Sequence, residues 1–156
     1  MSYEPANDSL FAALQAEYLQ LQKTIEDFDA RALTIKAWSV TFGLTALAGA
    51  FASRSRTVFL ISSSSAALFW YLETTWKVFQ QAYYSRSLQL ERHFRGETIV
   101  EHPLQISSAW HNAWSRTERR GYWRVACWPH VALPHAIVVA TGVVLYFLAA
   151  FKIVQL

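Results

Sequence analysis

The sequence predicts an all-α integral membrane protein. Its outline is a long antiparallel helical hairpin with two short spans and a cytoplasmic stalk, plus a C-terminal third transmembrane helix. Three observations predict it. Uncharged apolar runs occupy Ala37–Ala52, Thr57–Leu72 and Ala136–Phe151. Apolar residues recur at alternating three- and four-residue steps from Phe11 to Ile35, the period of a packed helix. Only five glycines are present, so the chemistry of βα turns is missing. Apolar residues make up 53% of the 156 positions and charged residues 16%, against a usual ~25% in soluble domains. So much apolar surface excludes disorder. The single cysteine, Cys127, excludes a disulfide scaffold and a cysteine-based zinc site.

The first region, residues 1–95, holds the heptad helix, the hairpin and a continuing cytoplasmic helix. Asn7, Asp8 or Ser9 can cap a helix starting at Leu10. Phe11, Leu14, Tyr18, Leu21, Ile25 and Phe28, then Ala32 and Ile35, form a coiled-coil seam. That seam is a candidate oligomer contact, with the stripe Trp76, Phe79, Tyr83 and Leu90 as the intramolecular alternative. The hairpin spans cover about 33–53 and 57–75, joined by Ser53-Arg54-Ser55-Arg56. Each uncharged run is short, about 24 Å of helix, and flanking residues lengthen it. Reflection of the chain about the Arg54–Ser55 turn sets Lys36 opposite Glu73, a candidate intramembrane pair.

Residues 96–128 form a juxtamembrane segment rich in arginine and tryptophan. Gly96 is placed to end the second long helix, and Thr98–Pro103 reads as an extended connector. Leu104–Arg119 suggests an amphipathic helix with Ile106, Trp110 and Trp114 on one face. That face either packs on the stalk, lies on headgroups, or docks a partner, because tryptophan is favoured at binding hot spots. Arg116, Arg119, Arg120 and Arg124 suit anionic lipid beside the third span, and phosphate groups as the alternative. Residues 129–156 contain the third span, from Pro134 to Leu156, with Pro134 suited to its first turn.

Basic residues set an orientation. Eight of the fourteen Lys and Arg lie between Lys77 and Arg124, and Lys23 and Arg31 fall on the same side of the hairpin. Only Arg54, Arg56 and Lys152 fall opposite. The N-terminus and the middle segment are therefore expected in the cytoplasm and the C-terminus outside. No signal peptide is expected, since the first thirty residues are polar and acidic. Trp38, Trp70, Tyr71, Trp76, Trp123 and Trp128 stand at span ends, where an interfacial belt belongs.

Chemistry-bearing patterns are sparse. The five histidines show no metal-ligand spacing, and no phosphate-binding glycine loop or nucleophile elbow occurs. His130 and His135 read as interfacial residues. Neither a catalytic residue, a cofactor nor a metal is expected. Polar residues inside the spans are more informative: Thr41, Thr45 and Gly49 recur every four residues, and Ser62, Ser63, Ser64 and Ser65 are consecutive. Such residues permit close helix packing or line a watery path between assembled hairpins.

Two resemblances bear on function. Arg86 and His93, seven apart, resemble the active-site motif of HEPN ribonucleases, with Ser87 where that motif usually has Asn, Asp or His. Arg95 with His102 and Arg124 with His130 have similar spacings. This gives a minor alternative, a membrane-bound ribonuclease; a nucleic-acid partner is otherwise not expected. More broadly, the stretches EYLQLQKTIEDFDARALTIKAWSV and YLETTWKVFQQAYYSRSLQLERHF with the short hairpin between them resemble small bacterial membrane effectors of anti-phage systems, of SLATT-like layout. The resemblance covers about residues 10–95, and the third span is an addition to that pattern. It implies a homo-oligomer of the bacterial inner membrane, without enzymatic activity, that forms a pore or disrupts the membrane. The implied trigger is a cytoplasmic protein or a nucleotide signal. The alternative is a non-catalytic accessory subunit that docks a partner complex through its heptad helix.

Overall fold

The computed structural model describes residues 5–116 and 119–155, with side chains for 8–116 and 121–155. It is all-helical: α1 is Pro5–Ala52, α2 Thr57–Phe94, α3 Ile106–Ser115, α4 Arg119–Ala126 and α5 Pro129–Ala150, with no strand among the described residues. Two helices are long and apolar enough to cross a membrane, Asp8–Ala52 and Pro129–Ala150. The serine run of α2 lowers its hydropathy, and α2 is not one of them.

Local chemistry explains the boundaries. Helix α1 starts at Pro5, five residues before the expected Leu10, because proline is preorganised for a first turn and lacks the N–H that would go unsatisfied. Asn7, Asp8 and Ser9 therefore lie within the helix and do not cap it. At the hairpin turn the Arg54 amide donates to Phe51 O and the Ser55 amide to Ala50 O, with Arg54 in the left-handed region at φ 51°. Gly96 ends α2 in the same way: its amide reaches His93 O, that of Glu97 reaches Arg92 O, and its φ is 77°. This double closure satisfies the last carbonyls of the helix. Helix α5 begins at Pro129 behind Trp128, so Pro134 lies inside the helix and not in its first turn. The expected Leu104–Arg119 helix is shorter, Ile106–Ser115, and the basic segment beyond it contains a helix of its own, α4, that the sequence does not announce.

The chain divides into two units. The first comprises Met1–Ala30 and Lys77–Glu118, the second Arg31–Trp76 and Arg119–Leu156. In the first, Leu14 and Leu21 of the heptad seam are wholly buried with Leu90 and Val100, and Leu10, Tyr18, Tyr83 and Ile106 pack around them. Ile25 is buried, Phe28 faces Tyr83, and Phe11 stands edge-on to Phe94 at 5.3 Å. The seam thus closes within the chain. In the second unit Leu47, Ala50 and Phe59 form one apolar cluster with Leu145, Tyr146 and Ala149 around it. The inward stripe of α5 is Val131, His135, Val138 and Gly142.

Candidate functional site

Among the described residues each unit buries one carboxylate side chain. In the second unit Glu73 of α2 is wholly buried. Lys36 of α1 approaches its Oε1 at 2.6 Å, so the two residues set opposite by reflection of the hairpin are brought together. A third helix joins them. His135 of α5, wholly buried, places Nε2 2.9 Å from Glu73 Oε2 and Nδ1 2.7 Å from Ser39 Oγ. Ser39 lies three residues after Lys36 on α1 and is itself buried.

The proton positions follow from the inventory of donors and acceptors. An ionised carboxylate only accepts, so the proton on His135 Nε2 points to Glu73. Nδ1 then accepts from the Ser39 hydroxyl when the ring is neutral and donates to it when the ring is charged. Among the described residues, no group of three or more His, Cys, Asp or Glu could hold a metal ion. The serine stands on Nδ1 and the carboxylate on Nε2, a relay of the atoms used in nucleophilic triads. The burial of Ser39 leaves its hydroxyl no approach for a substrate.

Sequence reasoning missed His135, having placed it at an interface. A signal for it was present: His135 stands four residues after Val131 and three before Val138, the spacing of one packed helix face. The reflection that pairs Lys36 with Glu73 also pairs Gln22 with Ser87 and Tyr18 with Glu91, both hydrogen-bonded in the first unit at 2.9 and 3.3 Å.

Of the hydroxyl-rich candidates, two pack helices. Ser62 Oγ donates to Gly43 O at 3.0 Å, and Ser63 Oγ lies 3.1 Å from both Phe59 O and Val139 O. Gly142 is the close-approach point of α5, since a Cβ there would overlap Ser63 Oγ. Ser64 is exposed and Ser65 half-buried. Thr41 and Thr45 are exposed too, and a Cβ on Gly49 would meet nothing within 4 Å. The Thr41–Thr45–Gly49 stripe is thus no packing face within this chain.

In the first unit Glu17 is held on all sides. Arg86 Nε donates to its Oε1 at 2.9 Å and Arg86 Nη2 to its Oε2 at 3.0 Å. The amides of Leu104 and Gln105 donate to the same two oxygens at 2.8 and 3.1 Å. Leu104 adopts a φ of 62°, which turns two successive amides toward one anion. Burial pushes the Glu17 carboxyl up, but the Arg86 hydrogen bonds and charge and the two amides outweigh it and hold the group below the usual carboxylate range.

Arg86 also reaches His102 O and Gln89 Oε1. His93 Nδ1, for its part, receives the amide of Val100 at 3.2 Å. Both residues of the ribonuclease-like spacing thus hold the connector in place. Trp110 and Trp114 stack on each other, Trp114 meets Phe79 edge-on at 4.7 Å, and Trp110 Nε1 donates to Phe79 O at 3.1 Å. Their face packs on α2 and is half-buried, not an open docking surface. Arg116 and Arg124 are exposed; the side chains of Arg119 and Arg120 lie outside the described residues. No family model, no curated protein and no solved structure matches this chain.

Proposed function

We propose that this chain is an oligomeric protein of the bacterial inner membrane that permeabilises the bilayer when a cytoplasmic protein or nucleotide acts on its first unit, as an effector of anti-phage defence. The observation that carries the reading is the inverted polarity of the second unit. Leu44, Ile61, Leu68, Leu133, Ile137 and Phe147 are each more than half exposed, while Ser39, Ser62, Glu73 and His135 are buried. Water would disfavour that distribution and hydrocarbon favours it. In this reading α1 and α2 cross as a hairpin, α5 crosses as the third span, and the basic middle segment faces the cytoplasm.

The buried network is the natural lock of the closed state, because separation of the three helices strands a carboxylate, an ammonium and an imidazole in hydrocarbon. A conducting path between copies would be lined by outward hydroxyls such as Thr41, Thr45 and Ser64, since Ser62 and Ser63 are occupied. The heptad seam packs largely within the chain, which favours the effector reading over an accessory subunit docked through that helix. The test is ion leakage from proteoliposomes and membrane potential in expressing cells. Glu73→Gln and His135→Leu are expected to leak without a trigger. Wild-type impermeability in both variants, with the protein retained in the membrane, overturns the effector reading.

A further inference from the structure

We infer that the second unit binds one anionic phospholipid, with an acyl chain in a groove between α2 and α4 and its phosphate on Arg124 of α4. The groove encloses about 310 Å³ and is lined by Ala67, Trp70 and Tyr71 of α2 and Tyr122, Trp123 and Ala126 of α4. That volume is at the lower end of ligand pockets, ~300–1,000 Å³, and takes a length of hydrocarbon chain.

The wall favours hydrocarbon because it is mainly aromatic and three of its polar tips are already engaged within the chain. Trp70 Nε1 donates to Ala126 O at 2.9 Å, Tyr122 Oη to Tyr71 O at 3.3 Å, and Thr74 Oγ1 to Trp70 O at 2.8 Å. A polar ligand would find few partners there. Trp123 is 69% exposed at the mouth, and the four rings are of the types that settle at headgroup level.

Charge supplies the second half. Helix α4 carries Arg119, Arg120 and Arg124 in eight residues, and Arg124, directly after Trp123, is exposed. The second unit contains a single carboxylate side chain, Glu73, and that group is buried with Lys36 and His135. Among the described residues of the unit Arg124 therefore has no acidic side chain to meet, and an anionic headgroup beside an acyl groove complements both features. This inference rests on the membrane reading above.

The test uses the full chain, delipidated in nonionic detergent and titrated with phosphatidylglycerol or phosphatidylcholine brominated in the acyl chains, read by tryptophan quenching and native mass spectrometry. One phosphatidylglycerol per chain is expected, bound several-fold tighter than phosphatidylcholine. Arg124→Gln should weaken phosphatidylglycerol about five-fold, the worth of one basic residue at a charged surface, and leave phosphatidylcholine unchanged. Ala67→Phe, which fills the groove, should weaken both lipids, with Trp123→Ala as the second groove variant and circular dichroism as the folding control. Equal affinity for the two lipids on the wild type, or unchanged binding in both folded groove variants, overturns the inference. Competition by soluble glycerol phosphate as strong as by the lipid also overturns it, because the acyl chain would then play no part. Release of the protein from membranes by alkaline carbonate defeats the membrane reading itself; retention without lipid preference defeats only this site.

Discussion

Two buried carboxylates, Glu17 in the first unit and Glu73 in the second, are solved in opposite ways. Glu17 receives four hydrogen bonds from donors fixed in space, a guanidinium fork and two successive amides. Arginine stays charged at any ordinary pH and its planar fork matches the carboxylate. Glu73 receives one ammonium and one imidazole, and its Oε1 has no well-aligned hydrogen bond although Lys36 lies 2.6 Å away. Lysine is a point charge on a flexible stem, and the imidazole reaches the carboxylate through a single nitrogen. A saturated site of fixed donors acts as a latch; the less saturated one, held by a flexible ammonium and an imidazole, suits the switch that the proposed function asks of it. The contrast teaches that burial alone does not define a role, and that the type of partner does.

The largest expected effect breaks the latch. Glu17→Ala leaves Arg86 buried without its counter-charge, which should destabilise the first unit by ~3–5 kcal/mol in urea unfolding followed by circular dichroism. The double change Glu17→Leu with Arg86→Met should recover most of that loss, because an apolar pair no longer strands a charge. Failure of the double variant to recover would mean that the connector amides of Leu104 and Gln105, not the ion pair, carry the cost.

Next comes the switch. His135→Leu removes the donor to Glu73 Oε2 and should cost about 1–3 kcal/mol, while raising untriggered leakage; Glu17→Ala should destabilise without that leakage. Equal leakage from both variants would erase the distinction between latch and switch. Gly142→Ala is expected to cost about 1–3 kcal/mol by overpacking, since its Cβ would meet Ser63 Oγ and lie 2.8 Å from Phe59 O. Thermal unfolding of the purified variant measures it.

A smaller effect is a dependence of stability on pH that comes from Glu17. The folded Glu17 group sits below its ordinary value of about 4.5. It therefore stabilises the fold above that pH, and the contribution is lost as the pH falls through the lower folded value. Unfolding free energies measured from pH 7 down to pH 3 should show this fall in the wild type and a flatter profile in Glu17→Gln. The smallest expected change is Gly49→Ala, where the added methyl meets nothing within 4 Å. Helix propensity alone should stabilise it by up to ~1 kcal/mol, read as a raised Tm.

Much of the fold was legible because it is helical and local. The heptad from Phe11 to Phe28, the turn at Arg54–Ser55 and the stop at Gly96 each follow from a few neighbouring residues. The partner stripe on α2 was harder to read. It carries Ser62, Glu73, Gln80 and Ser87 at buried positions, so polar residues interrupt the apolar period that announces a packed face. Gln80 is there because its amide donates to Ile25 O at 2.9 Å, a contact that no local pattern reveals. The tryptophan pair of α3 looked like a docking face for a related reason: amphipathicity shows that a face is covered, but not by what.

Two long helices, their mutual register and the pairing of Lys36 with Glu73 all follow from the order of residues, because a short turn between continuous helices leaves almost one way to set them opposite. That His135 completes the pair follows only from how the helices pack. Helix α5 is joined through a connector, α3 and α4, so neither its depth nor its rotation follows from spacing. Both are set by close approach, of Gly43 to Val138 and of Gly142 to Ser63, and that packing turns an apparent interfacial histidine toward a buried carboxylate.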